Sequence, residues 1–269
     1  MTAHKEAFTA YYQIFAGRFP PESAHAEHLH LKWEHSLKVL DNAECILSES
    51  MPAASGLPGT FTPELVRAAQ LAALYHDVAR FEQYVAYGTF RDAESANHGA
   101  WGAKILKREP AFLAGESRCV AAWVRAAVSM HNRFAIPGGV PEDFRLVTQV
   151  VRDADKIDIL RVISGYARPG GKRSQVVTWK LADAPDKWTP SLYESVMAGQ
   201  LGVSSQMHYI NDFRLLTCSW VYDLNFPASR RLMRQQGYMD NMLACLPPGA
   251  ARDKVRARIA AEVQSCNGA

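Results

Sequence analysis

Apolar residues recur at three- and four-residue steps along most of this chain, and no segment alternates apolar and polar residues for long enough to make a strand. That pattern restricts the fold class to all-α, a bundle of helices that bury apolar stripes against one another. The periodicity predicts helices over Leu31–Ser48, Leu65–Arg80, Ser95–Lys107, Glu116–Met130 and Asp143–Ile163. It predicts further helices over Ser191–Ala198, Asp212–Asp223, Ser229–Leu246 and Ala251–Val263. Thr62-Pro63-Glu64 reads as a helix start, with Thr as cap, Pro at the first position and Glu in the first turn. Breaks fall at Ser50–Gly59, Pro137–Pro141 and Tyr166–Lys172. The last of these, YARPGGKR, carries Arg168, Lys172 and Arg173, and divides two domains or forms a loop beside a site. We expect one domain over residues 1–269 with a C-terminal helical extension.

Composition narrows the function classes. With 48% apolar and 21% charged residues, the chain is an ordinary globular one. A net charge of +3 gives no basis for a nucleic-acid or membrane partner. No run approaches the roughly 20 apolar residues that span a bilayer. MTAHKEAFTAYYQIF lacks the pattern of a secretory signal. The five cysteines are widely spaced, without a Cys-x-x-Cys pair, which argues against a disulfide framework or a cysteine zinc site. The location expected from this is cytoplasmic.

The nine histidines fall into two groups. His4, His25, His28, His30 and His208 lie in polar or irregular contexts and read as surface residues. The other four sit on apolar helical faces: His35 with Leu31, Val39 and Ile46; His76 with Leu65, Ala69 and Ala72; His131 with Val120, Val124 and Ala127; and His98 with Gly102 and Ile105. A single inward histidine is ordinarily a satisfied core residue. Four in one chain are another matter, because each needs its own polar partner. His76 is followed by Asp77, and neighbours on a helix point about 100° apart, as two ligands of one ion can. Downstream, VVRDADKIDIL interrupts a buried helix with carboxylates. Asp153 and Asp155 face opposite apolar sides, so periodicity does not choose between them. Buried carboxylates need a cation.

The order His35, His76-Asp77, Asp155 resembles the H…HD…D signature of the HD-domain metal-dependent phosphohydrolase superfamily, and is most similar to bacterial members of undefined substrate. The likeness covers roughly residues 30–165, including HDVARFEQYVAYGTF, SANHGAWGAKIL, VSMHN and RDADKIDIL. It implies an HD-type helical core at about 25–165 and the extension at about 166–269. It also implies a divalent ion held by His35, His76, Asp77 and Asp155, the last favoured over Asp153 by its Ala-Asp-x-hydrophobic context. His98 and His131 match extra histidines that bind a second ion or the phosphate in some branches. The paired histidines and Gly-Tyr-Pro motif of the cyclic-di-GMP phosphodiesterase branch are missing, which leaves the substrate open.

Histidine and carboxylate ligands without thiolate suit Mn²⁺, Fe²⁺, Mg²⁺, Co²⁺ or Ni²⁺, as one ion or two. Asp77 is expected to be catalytic as a ligand and able to bridge two ions. Arg80, one helical turn after His76, is expected to grip a phosphate, and Lys156 to meet it too. Asp153 then orients a ligand histidine from behind. Trp220, Tyr222, Phe226 and Tyr238 read as core, with a base-stacking wall as the sharper alternative. The expected function is a metal-dependent phosphohydrolase acting on a small phosphate ester, a nucleotide above all, as a monomer or a homo-oligomer. Three rivals stay open: a di-iron oxygenase of a small organic substrate, a non-catalytic nucleotide sensor, and an all-α scaffold with chance polar residues inside.

Overall fold

The computed structural model describes residues 1–50, 61–167 and 181–264. Among them no strand forms, and an isolated parallel bridge joins Ala182 to Tyr209. The all-α expectation holds. The chain divides into two compact units, Met1–Asp155 and Lys156–Ala269.

The first unit opens with α1 (Thr2–Ala16), which lies outside the helices expected above. Its His4, Phe8, Tyr11 and Phe15 follow one another at steps of four, three and four and are buried together. The polar context of His4 suggests a surface residue, but its Nδ1 lies 3.0 Å from both the Tyr75 hydroxyl and Phe112 O inside the unit. The Phe8, Tyr11 and Phe15 rings gather around Phe81. Helix α2 (Ala24–Ser50) is the long amphipathic element that carries His35. Helix α3 (Pro63–Tyr75) starts as its sequence predicts, with the Thr62 hydroxyl accepting from the Leu65 amide at 3.2 Å. Ala68, Ala69 and the run Leu71 to Tyr75 have no exposure, so α3 is buried between α2 and α6 (Arg118–Met130).

The periodicity carries the third helix on to Arg80, but the structure ends α3 at Tyr75 and resumes as α4 (Arg80–Tyr87). Residues 76–79 form a turn tied by the Val78 amide on Tyr75 O and the Arg80 amide on Asp77 O. Val78, Ala79 and Phe81 are all buried, so the apolar pattern runs through the break and conceals it. Helix α5 (His98–Arg108) packs on α6 through Gly102, where a Cβ would stand 2.9 Å from Val128 Cγ1. Helix α7 (Glu142–Ala167) reaches Asp155 at the end of the unit. There Asn42 of α2 donates to the Ala154 carbonyl at 3.2 Å, a buried tie that sets the register of α2 against α7.

The second unit contains α8 (Pro190–Met197), α9 (Ile210–Ser219), α10 (Pro227–Gln236), α11 (Tyr238–Ala244) and α12 (Ala250–Gln264). Asp212 anchors it by accepting from the Thr189, His208 and Tyr209 amides and from the Thr189 hydroxyl. The helix expected over Ser229–Leu246 is two helices, broken at Gly237, whose φ of +66° favours glycine. Trp220, Tyr222, Phe226 and Tyr238 are half-buried rather than fully in the core. Tyr222 donates to Val196 O, and Arg258 lies over its ring. Arg168, Lys172 and Arg173 lie outside the described residues.

The close approach of α5 and α6 is testable. Gly102→Val should cost about 1–3 kcal/mol in urea unfolding, because Val128 is β-branched and cannot swing aside. Adding Val128→Ala to that variant should restore part of the loss.

Candidate metal centre

The four inward histidines of the sequence, together with Asp77 and Asp155, converge within the first unit. His76 and His131 reach the cluster by the same device. Each occupies the residue directly after a helix, α3 for His76 and α6 for His131. A helix end leaves its last carbonyls without amide partners. His76 Nδ1 donates to Ala73 O and His131 Nδ1 to Val128 O, both at 2.8 Å and three residues back. A carbonyl only accepts, so Nδ1 carries the proton and Nε2 of each ring is left as a lone pair.

His98 is fixed differently. It is the first residue of α5, behind an Asn97 cap, and its Nδ1 donates to Asp92 Oδ2 at 2.7 Å. Its Nε2 is therefore an acceptor as well, and it stands 3.0 Å from His131 Nε2. Two acceptors face each other there without a proton between them, an arrangement that calls for a cation. Arg152 holds the segment beyond His131 by donating to the carbonyls of His131, Arg133 and Phe134.

Asp77 joins the two halves. Its Oδ2 lies 3.8 Å from His35 Nε2 and 3.7 Å from His76 Nε2, while its Oδ1 lies 3.3 Å from His98 Nε2 and 3.9 Å from His131 Nε2. Asp155 Oδ1 completes the first half at 3.1 Å from His35 Nε2 and 3.6 Å from His76 Nε2. Of the two aspartates that periodicity leaves open, Asp155 brings its carboxylate to His35 and His76. Asp153 is buried. Donors on adjacent corners of an octahedral ion with bonds of about 2.1 Å stand about 3 Å apart. The separations here are of that order. His35, His76 and Asp155 form one group able to hold a metal ion, and His76, Asp77 and His131 form another.

The electrostatics agree. Burial is the largest influence on Asp77 and pushes its pKa up. Lys32 and Arg80, followed by the neighbouring imidazoles, outweigh it and hold the carboxyl well below its usual range. Lys32 Nζ is 2.7 Å from Oδ2, and Arg80 Nε is 3.2 Å from Oδ1. Burial lowers His76, His98 and His131, the last two to about 4, so all three rings are neutral and ready as ligands. Burial likewise works to raise Asp92, but the His98 hydrogen bond and Arg80 bring it below its ordinary value.

Arg80 and Lys156, the two cations that the sequence assigns to a phosphate, have partners of their own. Arg80 uses Nε on Asp77 and Nη1 on Gln83, Phe90 O and Asp92. Lys156 makes an ion pair with Asp223 at 2.6 Å in the second unit. Lys32 and Asp92 escape the sequence reading. The signal for Lys32 is its position three residues before His35 on the same helix, and Asp92 lies in a polar stretch without periodicity.

Residues 33–160 match the family model of the HD domain. That stretch is similar to the HD domain of the metal-dependent phosphohydrolase superfamily. HD domains bind divalent metals and are generally metal-dependent hydrolases. No curated protein and no solved structure matches the chain. Among the described residues, no helix is long and apolar enough to cross a membrane.

Two outcomes follow from the cluster of the HD domain. His98 and His131 take up a proton near pH 6.5 in the unfolded chain but only near pH 4 in the folded one. The unfolded chain thus binds more protons between these values, and folding stability falls as the pH is lowered through that window. Thermal unfolding of metal-free protein should show this fall, with a shallower slope in His131→Gln. Asp92→Ala should weaken Mn²⁺ binding at the His98 half by about tenfold to a hundredfold, measured calorimetrically, and spare the His35 half.

Proposed function

We propose that the HD domain holds a divalent ion through His35, His76, Asp77 and Asp155, and a second through Asp77, His98 and His131. We propose further that it hydrolyses a small phosphate ester, a nucleotide above all. The observation that carries this reading is Asp77, buried between two sets of imidazole acceptors with one oxygen towards each. The donor set contains no thiolate, which favours Mn²⁺, Fe²⁺, Mg²⁺, Co²⁺ or Ni²⁺. When bound, such an ion supplies a water of lowered pKa and a positive charge against the phosphoryl oxygens.

The chain's own residues do the rest. Ala73 O and Val128 O orient His76 and His131, and Asp92 orients His98. Lys32 and Arg80 keep Asp77 ionised. Arg80 Nη2, which makes no hydrogen bond among the described residues, takes a phosphate oxygen. Lys156 would have to leave Asp223 to meet a phosphate, so we give it no part. The scattered thiols support a cytoplasmic location, and a homo-oligomer is compatible with the site. One observation favours a second reading: the His98 half gathers two imidazoles on Asp77 Oδ1, so two iron ions and oxygenase chemistry are the alternative.

Metal analysis coupled to phosphate release tests the proposal. Wild-type protein reconstituted with Mn²⁺ should approach two ions per chain and release phosphate from a nucleotide panel. Asp77→Ala and Asp77→Asn should lose metal and at least about a hundredfold in kcat/KM while keeping a helical circular dichroism spectrum. If the metal-loaded wild type turns over no phosphate ester but consumes O₂ when loaded with iron, the oxygenase replaces the hydrolase.

A further inference from the structure

The two cations on Asp77 are not equivalent. Arg80 is held by four acceptors: Asp77 Oδ1, Gln83 Oε1, Phe90 O and Asp92 Oδ1. It cannot leave Asp77 without abandoning all of them. Among the described residues Lys32 makes a single hydrogen bond, 2.7 Å to Asp77 Oδ2, and its ammonium also lies 5.4 Å from the centre of the Phe90 ring. Its side chain is 18% exposed, against 3% for Asp77, so Lys32 is the more solvent-accessible member of the pair. Its flexible four-carbon stem allows it to swing, where Arg80 is locked.

Oδ2 is also the oxygen that faces His35 and His76. A divalent ion in that half would draw on the same carboxylate charge that Lys32 now uses, and two cations compete there. The geometry points to Lys32 as a second phosphate-binding residue beside Arg80, held on Asp77 until an ion takes over that oxygen and frees the ammonium for the incoming phosphoryl group. This rests on the phosphohydrolase reading above. In it, Lys32 has opposite effects on the two binding events: it opposes the metal and favours the phosphate. A lysine that merely supported the fold around Asp77 would favour both.

The experiment titrates Mn²⁺ into metal-free full-length protein, then inorganic phosphate into the Mn²⁺-loaded protein, by calorimetry. Wild type, Lys32→Met and Lys32→Arg are compared; the first keeps an unbranched apolar stem without the charge and the second keeps the charge. Lys32→Met should bind the tightest Mn²⁺ several-fold more strongly and phosphate about tenfold to a hundredfold more weakly. Lys32→Arg should stay within a few-fold of wild type for phosphate. Weaker Mn²⁺ binding by Lys32→Met, or phosphate affinity equal to wild type, overturns the inference and leaves the hydrolase standing. A Mn²⁺-loaded wild type that neither binds phosphate nor hydrolyses any phosphate ester overturns both.

Discussion

The first unit is organised around one buried carboxylate. Asp77 is 2% exposed, and a lone ionised carboxylate at that depth would be protonated rather than tolerated. Lys32 and Arg80 remove that outcome by donating to one oxygen each, while four imidazoles fill the remaining space. The arrangement explains why polar residues interrupt otherwise apolar helices. His35 on α2, the turn after α3, the start of α5, the turn after α6 and Asp155 on α7 all surrender core volume to the same point. Arg80 then spreads the constraint outward through Asp92 to His98, Gln83 and Asn132.

Placing histidines at helix ends resolves a difficulty that a mid-helix histidine would face. Within a helix the carbonyl three residues back is already taken by an amide, so the ring nitrogen has no nearby acceptor and its tautomer is unset. At a helix terminus that carbonyl is vacant. His76 and His131 use it, and the result is a fixed proton on Nδ1 and a fixed lone pair on Nε2. The residues that follow them diverge: Asp77 turns into the cluster, whereas Asn132 donates to Asp92 behind it.

The fold class is legible in the periodicity, and four inward histidines on apolar faces demand polar company; that His35, His76, Asp77, His98, His131 and Asp155 share one site is what the resemblance to the HD superfamily implies, since periodicity leaves Asp153 and Asp155 open. The break at the HD turn is not. Apolar spacing measures burial, and Val78, Ala79 and Phe81 remain buried after the helix has ended, so periodicity continues through a change of direction. Helix α1 carries its signal in the spacing of His4, Phe8, Tyr11 and Phe15, but interspersed polar residues weaken the stripe. Lys32 and Asp92 act through charge on partners outside their own helical turns, 45 residues away for Lys32 and Asp77. No local pattern records such a pairing.

Charge balance decides what can approach this centre. Asp77, Asp92 and Asp155 are all held ionised, and Lys32 and Arg80 stand against them. Without metal the cluster is therefore short of positive charge, and it attracts cations before anions. On the proposed function, divalent ions would reverse the sign, and the same place would then draw in a phosphate that the bare carboxylates would repel. On that proposal the metal would bind before the substrate. A neutral organic substrate gains nothing from that reversal, nor from cations kept beside Asp77, whereas a doubly charged phosphoryl group gains from both.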